Sequence, residues 1–150
     1  MEEEIVTNPL TLQQLETSVP EVVNLLLALG TQVNVVYGYA CNLPIDELWQ
    51  AMQMDLSHLK DFIAKSRKDE ILALGASDLH VNDLEKRWSF KICHESDLHF
   101  VTSDRMLLEQ VAALWSHRGF TVHVSPYTAV QAPREWRLMD LPNQDPPTPQ

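Results

Sequence analysis

The chain has 150 residues, 45% of them hydrophobic, and a formal net charge of −10; that length suits one domain, which buries roughly two thirds of the surface its unfolded chain exposes. Two cysteines are too few for a disulfide framework, which makes a reduced, cytoplasmic protein the expectation, and no apolar run approaches the roughly 20 residues of a membrane span. Lys60 is the first lysine or arginine, after eight acidic residues; such a field repels a phosphate backbone, so direct nucleic-acid binding is not expected of this part, and the charge serves either a basic protein partner or solubility.

Residues 1–8 read as an acidic tail, without the basic start of an export signal. Thr11 and Gln14 form a capping box that opens a short helix carrying Leu12, Leu15 and Val19. A second box, Ser18 with Glu21, opens another helix with Pro20 in its first turn, and Gly30 stops it. The apolar residues of this second helix, among them Val22, Leu25, Leu26 and Leu29, run nearly all the way round. Such a helix is either sandwiched inside the fold or packed on another chain, which makes Leu26 a candidate partner contact.

Residues 32–39, QVNVVYGY, predict a strand with Val33, Val35 and Tyr37 on one face. Leu48, Met52, Leu56, Leu59, Phe62 and Ile63 then recur at helical spacing, so residues 45–64 predict a long helix. A new turn near 66–69 follows, and Gly75 closes the region. Residues 77–81 alternate as a short strand. The segment GASDLHV, residues 75–81, resembles a strand motif in the N-terminal domains of secretion and pilus-retraction ATPases; the chain lacks the GxxxxGK[ST] phosphate loop, so ATPase activity does not come with it.

Residues 88–125 are the best punctuated stretch, reading strand, turn, strand, helix, strand. With a loop at 95–97, Ile92 falls opposite Phe100 and Cys93 opposite His99, which gathers the large apolar residues on one face. Ser103 is the expected N-cap, Leu107, Leu108, Val111, Leu114 and Trp115 the buried stripe, and Gly119 the stop. Phe120, Val122 and Val124 alternate in a last strand. Together these elements predict an α+β fold of the ferredoxin-like type, a split β-α-β in the order βαββαβ with one or two extra N-terminal helices, forming one domain over residues 9–125. Six of the nine prolines fall from residue 126 onward, so 126–141 read as a strap and 142–150 as a disordered tail. Trp136 and Met139 in the strap are further candidate partner contacts.

Candidate chemistry is sparse. Cys93, His99 and His123 project from one sheet face and are borderline-soft ligands, but His99 and His123 sit on strands two places apart, roughly 10 Å, which is too far for one ion. The segment FVTSD leading into a helix, residues 100–104, resembles the strand-then-acid segment of PIN-like and NYN-like nucleases, which implies a divalent-metal role for Asp104. As a helix cap, Ser103 with Asp104 is accounted for equally well. There is no GxSxG elbow and no GxGxxG loop, and no cofactor or metal is expected. Two readings follow. The first is a non-enzymatic protein-binding module, such as an inhibitor, immunity factor, secretion chaperone or adaptor, or a homodimer, contacting its partner through His99, Val101, Thr121, His123, Leu26, Trp136 and Met139. The second is a small metal-dependent phosphodiesterase or nuclease using Asp104 with Asp78 or Asp83.

Overall fold

A computed structural model describes residues 2–126; the expected strap beyond Pro126 and the proline-rich tail, with Trp136 and Met139, lie outside the described residues. The fold is mixed α+β, with one seven-stranded antiparallel sheet and three α-helices among those residues. In chain order the elements are β1 (Glu3–Thr7), α1 (Leu12–Leu27), β2 (Gln32–Tyr37), β3 (Met52–Asp55), a 3-10 turn (Leu56–His58), α2 (Leu59–Lys68), β4 (Leu79–Asp83), β5 (Trp88–Ile92), β6 (Leu98–Thr102), α3 (Arg105–His117) and β7 (Val122–Pro126). The sheet order is β3-β2-β4-β5-β6-β1-β7.

Within the expected acidic tail, Glu3–Thr7 forms a strand, β1. Ile5 lies opposite both Phe100 of β6 and Val124 of β7, and its side chain is fully buried. The run of three glutamates hides a strand whose charges are answered across the sheet and from α3: Glu3 pairs with Arg105 at 2.7 Å and Glu4 with His99 at 3.2 Å. This strand occupies the place beside β6 that a ferredoxin-like order would give to β2, and seven strands exceed the four of that fold. The α+β class and the antiparallel sheet stand.

The two expected N-terminal helices are one, α1, with Pro20 inside it. Thr11 makes the expected capping box with Gln14, its hydroxyl accepting from the Gln14 N–H at 3.1 Å while the Gln14 side chain accepts from the Thr11 N–H at 2.9 Å. The Ser18 box does not form, because Ser18 is buried within the continuing helix. Proline costs the helix only its own donor and a local clash, and the burial of Leu15, Val19, Val22, Val23 and Leu26 carries the helix through it.

The expected long helix over 45–64 shrinks to α2, Leu59–Lys68. Met52–Asp55 instead forms β3 on the edge of β2, with Val33 opposite Met54 and Val35 opposite Met52. A four-residue strand and a helical stripe both place apolar residues two to four apart, so spacing alone does not separate them. Asp55 then caps the 3-10 turn, its Oδ1 accepting from the Ser57 N–H at 2.9 Å.

In the β5–β6 hairpin Phe90 lies opposite Phe100, Lys91 opposite His99 and Ile92 opposite Leu98. The loop is five residues, 93–97, closed by the Cys93 N–H donating to the Asp97 carbonyl at 3.0 Å. The expected register is off by two residues, and because side chains alternate with period two, every apolar residue keeps its face. Only Cys93 changes role, from strand to loop. The N-cap of α3 is Asp104, whose Oδ1 accepts from the Leu107 N–H at 3.2 Å, rather than Ser103. Leu107, Leu108, Val111 and Trp115 are buried as the sequence predicts.

All three helices contribute to one core on one face of the sheet, with Val35, Val81, Phe90, Phe100 and Ile5 forming its floor. Trp88 stacks on Phe100 at 6.1 Å between centroids, and the Tyr37 and Ser66 hydroxyls are hydrogen-bonded to each other. Because Ile5 belongs to this floor, Ile5→Ala is expected to lower unfolding free energy by about 2–5 kcal/mol. Urea unfolding followed by tryptophan fluorescence checks this; a tail residue would change it by no more than about 0.5 kcal/mol.

Candidate functional site

The sheet face away from the helices is crossed by a row of side chains that the register places side by side: Val36 of β2, His80 of β4, Lys91 of β5, His99 of β6, Val6 of β1 and His123 of β7. Most of this face is closed. Val36, His80, Lys91 and Val101 are all 4% exposed or less. The His80 ring lies 5.6 Å from that of Trp49. Gly38 is required there, since a Cβ on it would stand 2.9 Å from His80 Nε2 and 3.0 Å from the Trp49 ring. Burial, then Lys91 and His99 nearby, pushes the His80 pKa well below the usual histidine value, so His80 is neutral.

Beside the middle of this row, at the β5–β6 turn, the polar groups converge. Asp78, immediately before β4, has its carboxylate fully buried. Its Oδ1 accepts from the His94 N–H at 2.6 Å and pairs with His94 Nδ1 at 2.8 Å, while Lys91 Nζ stands 3.7 Å from Oδ2. Tyr39 leans its ring on His94, with centroids 4.6 Å apart. From the far side of the hairpin, His99 is held at both nitrogens: Nδ1 is 3.2 Å from Glu4 Oε2 and Nε2 is 3.1 Å from Asp97 Oδ1. Cys93, buried, sits between the two halves, its Sγ 3.9 Å from His94 Nδ1.

Turn chemistry fixes this geometry. Ser96 takes a positive φ of 67°, and its hydroxyl donates to the Gly75 carbonyl at 3.2 Å while its own carbonyl accepts from Leu10 N–H at 2.8 Å. The turn is thereby tied to the segments before β4 and before α1, and Cys93 and Asp97 are aimed back over the sheet.

Burial opposes charge on His99, yet the hydrogen bonds with Asp97, Cys93 and Glu4 outweigh it and raise the His99 pKa to about 11. Asp97 is lowered: burial works against this, and the contact with His99 prevails. As an imidazolium committed to two carboxylates, His99 cannot take a proton from Cys93, so a cysteine–histidine relay is not what the cluster is built for. Among the described residues, two sets of metal-ligand type have donor atoms within 4.8 Å of one another: Asp78, Cys93 and His94, and Cys93, Asp97 and His99.

The residues singled out from sequence are mostly dispersed. His123 is exposed on the edge strand with β1 between it and His99, and Thr121 is exposed just before that strand. Leu26 is fully buried in the core and Val101 is buried on the closed face, so neither presents a contact surface. Asp104 caps α3. Asp83 is at the opposite end of β4 from Asp78 and is bound by Arg87, whose Nε donates to Oδ2 at 2.7 Å; the structure does not bring Asp78 to Asp104. Missed in the sequence were Glu4, Lys91, His94 and Asp97. Their signal was the density of CHESDLH, residues 93–99, which holds five ligand-type residues in seven. The chain matches no protein-family model, no curated protein and no solved structure.

Two outcomes follow from how burial and hydrogen bonding shift His99 and Cys41. His99 is raised in the folded state, so its contribution to stability is complete below about pH 6.5 and is lost as pH rises from there through about 11. The stability difference between wild type and His99→Gln, measured by urea midpoints, should shrink as pH is raised across that range. Burial pushes the Cys41 thiol up to about 11; in a Cys93→Ser background, alkylation at pH 8 should be far slower for the folded chain than in urea.

Proposed function

We propose that the protein is a non-enzymatic protein-binding module, of the inhibitor, immunity-factor, chaperone or adaptor kind, that docks an extended segment of its partner along the outer edge of β7. The observation that carries this reading is the character of that edge. Among the described residues β7 pairs only with β1, and His123, Val124 and Ser125 are exposed, Val124 by 55%. Edge strands that must stay unpaired are usually guarded by charge; VHVSP has no charged side chain apart from a histidine, and only a terminal proline interrupts it. Such an edge is a template for strand addition, in which backbone hydrogen bonds supply affinity and alternate side chains supply selectivity.

Charge contributes less to this reading than the sequence suggests. Glu3, Glu16 and Glu21, three of the eight early acids, pair with Arg105, Arg67 and Arg118 from the later part of the chain. They tie β1 and α1 to α2 and α3, which leaves less of the acidic field for a basic partner. No helix among the described residues is long and apolar enough to cross a membrane.

The test is capture from the native host with wild type and Val124→Lys at physiological salt. A stoichiometric partner held by wild type and weakened at least tenfold by the lysine, with unchanged circular dichroism, is expected. Recovery of wild type as a monomer alone overturns the proposal.

A further inference from the structure

The β5–β6 turn gathers a donor set that the protein-binding reading does not use. Cys93, Asp97 and His99 come from one seven-residue stretch, and one donor atom from each lies within 4.8 Å of the other two. A tetrahedral zinc ion bound at about 2.0–2.3 Å holds its donors about 3.3–3.8 Å apart. The His99 Nε2 to Asp97 Oδ1 distance is 3.1 Å, so these two donors need to part by only about 0.2 Å once the proton between them is gone, and the sulfur, within 4.8 Å of both, has about 1 Å to move. We propose that this turn binds one Zn²⁺ ion through Cys93 Sγ, Asp97 Oδ1 and His99 Nε2.

Three features beyond proximity support the assignment. The first is the outer carboxylate. Histidines that ligate a metal commonly donate their other ring N–H to a carboxylate, which fixes the ring and its tautomer; here Glu4 Oε2 lies 3.2 Å from His99 Nδ1 and approaches from a different strand. The second is the donor set itself, thiolate, imidazole and carboxylate, which suits a borderline-soft divalent ion and not calcium or magnesium. The third is charge. A Cys93 thiolate and the Asp97 carboxylate together balance the two positive charges of the ion, while Asp78 on the other side of the sulfur has Lys91 3.7 Å away. Binding replaces the proton of the Cys93 thiol and the proton between His99 Nε2 and Asp97, and both are released to solvent. Three protein donors leave a fourth position for water, and His94, 35% exposed at its side chain, has its Nδ1 3.9 Å from the sulfur.

The test uses the isolated reduced chain and Co²⁺ as the spectroscopic probe, followed by displacement with Zn²⁺, so its result does not depend on any protein partner. Expected are one equivalent of cobalt, a thiolate-to-cobalt charge-transfer band with the intense visible bands of four-coordination, and loss of both on adding zinc. Cys93→Ser and His99→Gln should abolish the charge-transfer band or weaken cobalt binding more than tenfold. Glu4→Gln should weaken it about 10- to 100-fold, and Cys41→Ser should leave it unchanged. Wild type without the band overturns the assignment, as does a band that survives in Cys93→Ser. A band kept in His99→Gln but lost in His94→Gln also overturns it, since the ligands would then be Asp78, Cys93 and His94. Should Cys93→Ser fail to fold, the wild-type and Cys41→Ser spectra decide alone: the band in both supports the site, and its absence from either overturns it.

Discussion

The pairing of Glu3–Thr7 with strands on both of its sides is the constraint on which most of the structure depends. β1 fills the gap between Leu98–Thr102 and Val122–Pro126, so β7 has no route into the sheet without it. Ile5 completes the core floor between Phe100 and Val124, and on the opposite face Glu4 reaches the imidazole of His99. One five-residue strand thus closes the hydrophobic layer with Ile5 and the polar layer with its neighbour Glu4. Strand alternation makes that double role automatic.

The same alternation explains why charged groups are buried in a small domain. The helices cover one face only, and the row from His80 through Lys91 to His99 is closed on the other. Burying a charge is costly unless a partner of opposite sign comes with it. Accordingly Lys91 stands near Asp78, and His99 lies between Asp97 and Glu4. His80, buried with Lys91 and His99 nearby, stays neutral instead. The cluster is compensated charge by charge, with Cys93 at the junction of its two halves.

The two surfaces on which the proposals rest share β1. On one side of this strand is β7, whose outer edge offers unguarded backbone; on the other is β6, which carries His99. Glu4 faces His99 on β6, and its ladder partner on β7 is Ser125. Anything that shifts β1 relative to β6 therefore moves Glu4 and the outer edge of β7 together.

Much of the architecture is local and was legible in the residues. The Thr11 capping box, the buried stripe Leu107, Leu108, Val111 and Trp115, and the alternation of β2, β5 and β6 follow from propensities that act within a few residues. Face assignment survived even the two-residue error in hairpin register, because a shift by an even number preserves it. Tertiary structure alone decided the remainder. MEEEIVT became a strand because distant partners answered its charges, Met52–Asp55 because β2 had an open edge, and one helix ran through Pro20 because core burial outweighed the lost hydrogen bond. The site divides in the same way: CHESDLH supplied the chemistry locally. Only the sheet order, by bringing Asp78 from one side and Glu4 from the other, decided which nitrogens, oxygens and sulfur face one another, since strand order is set by long-range pairing that no local pattern encodes.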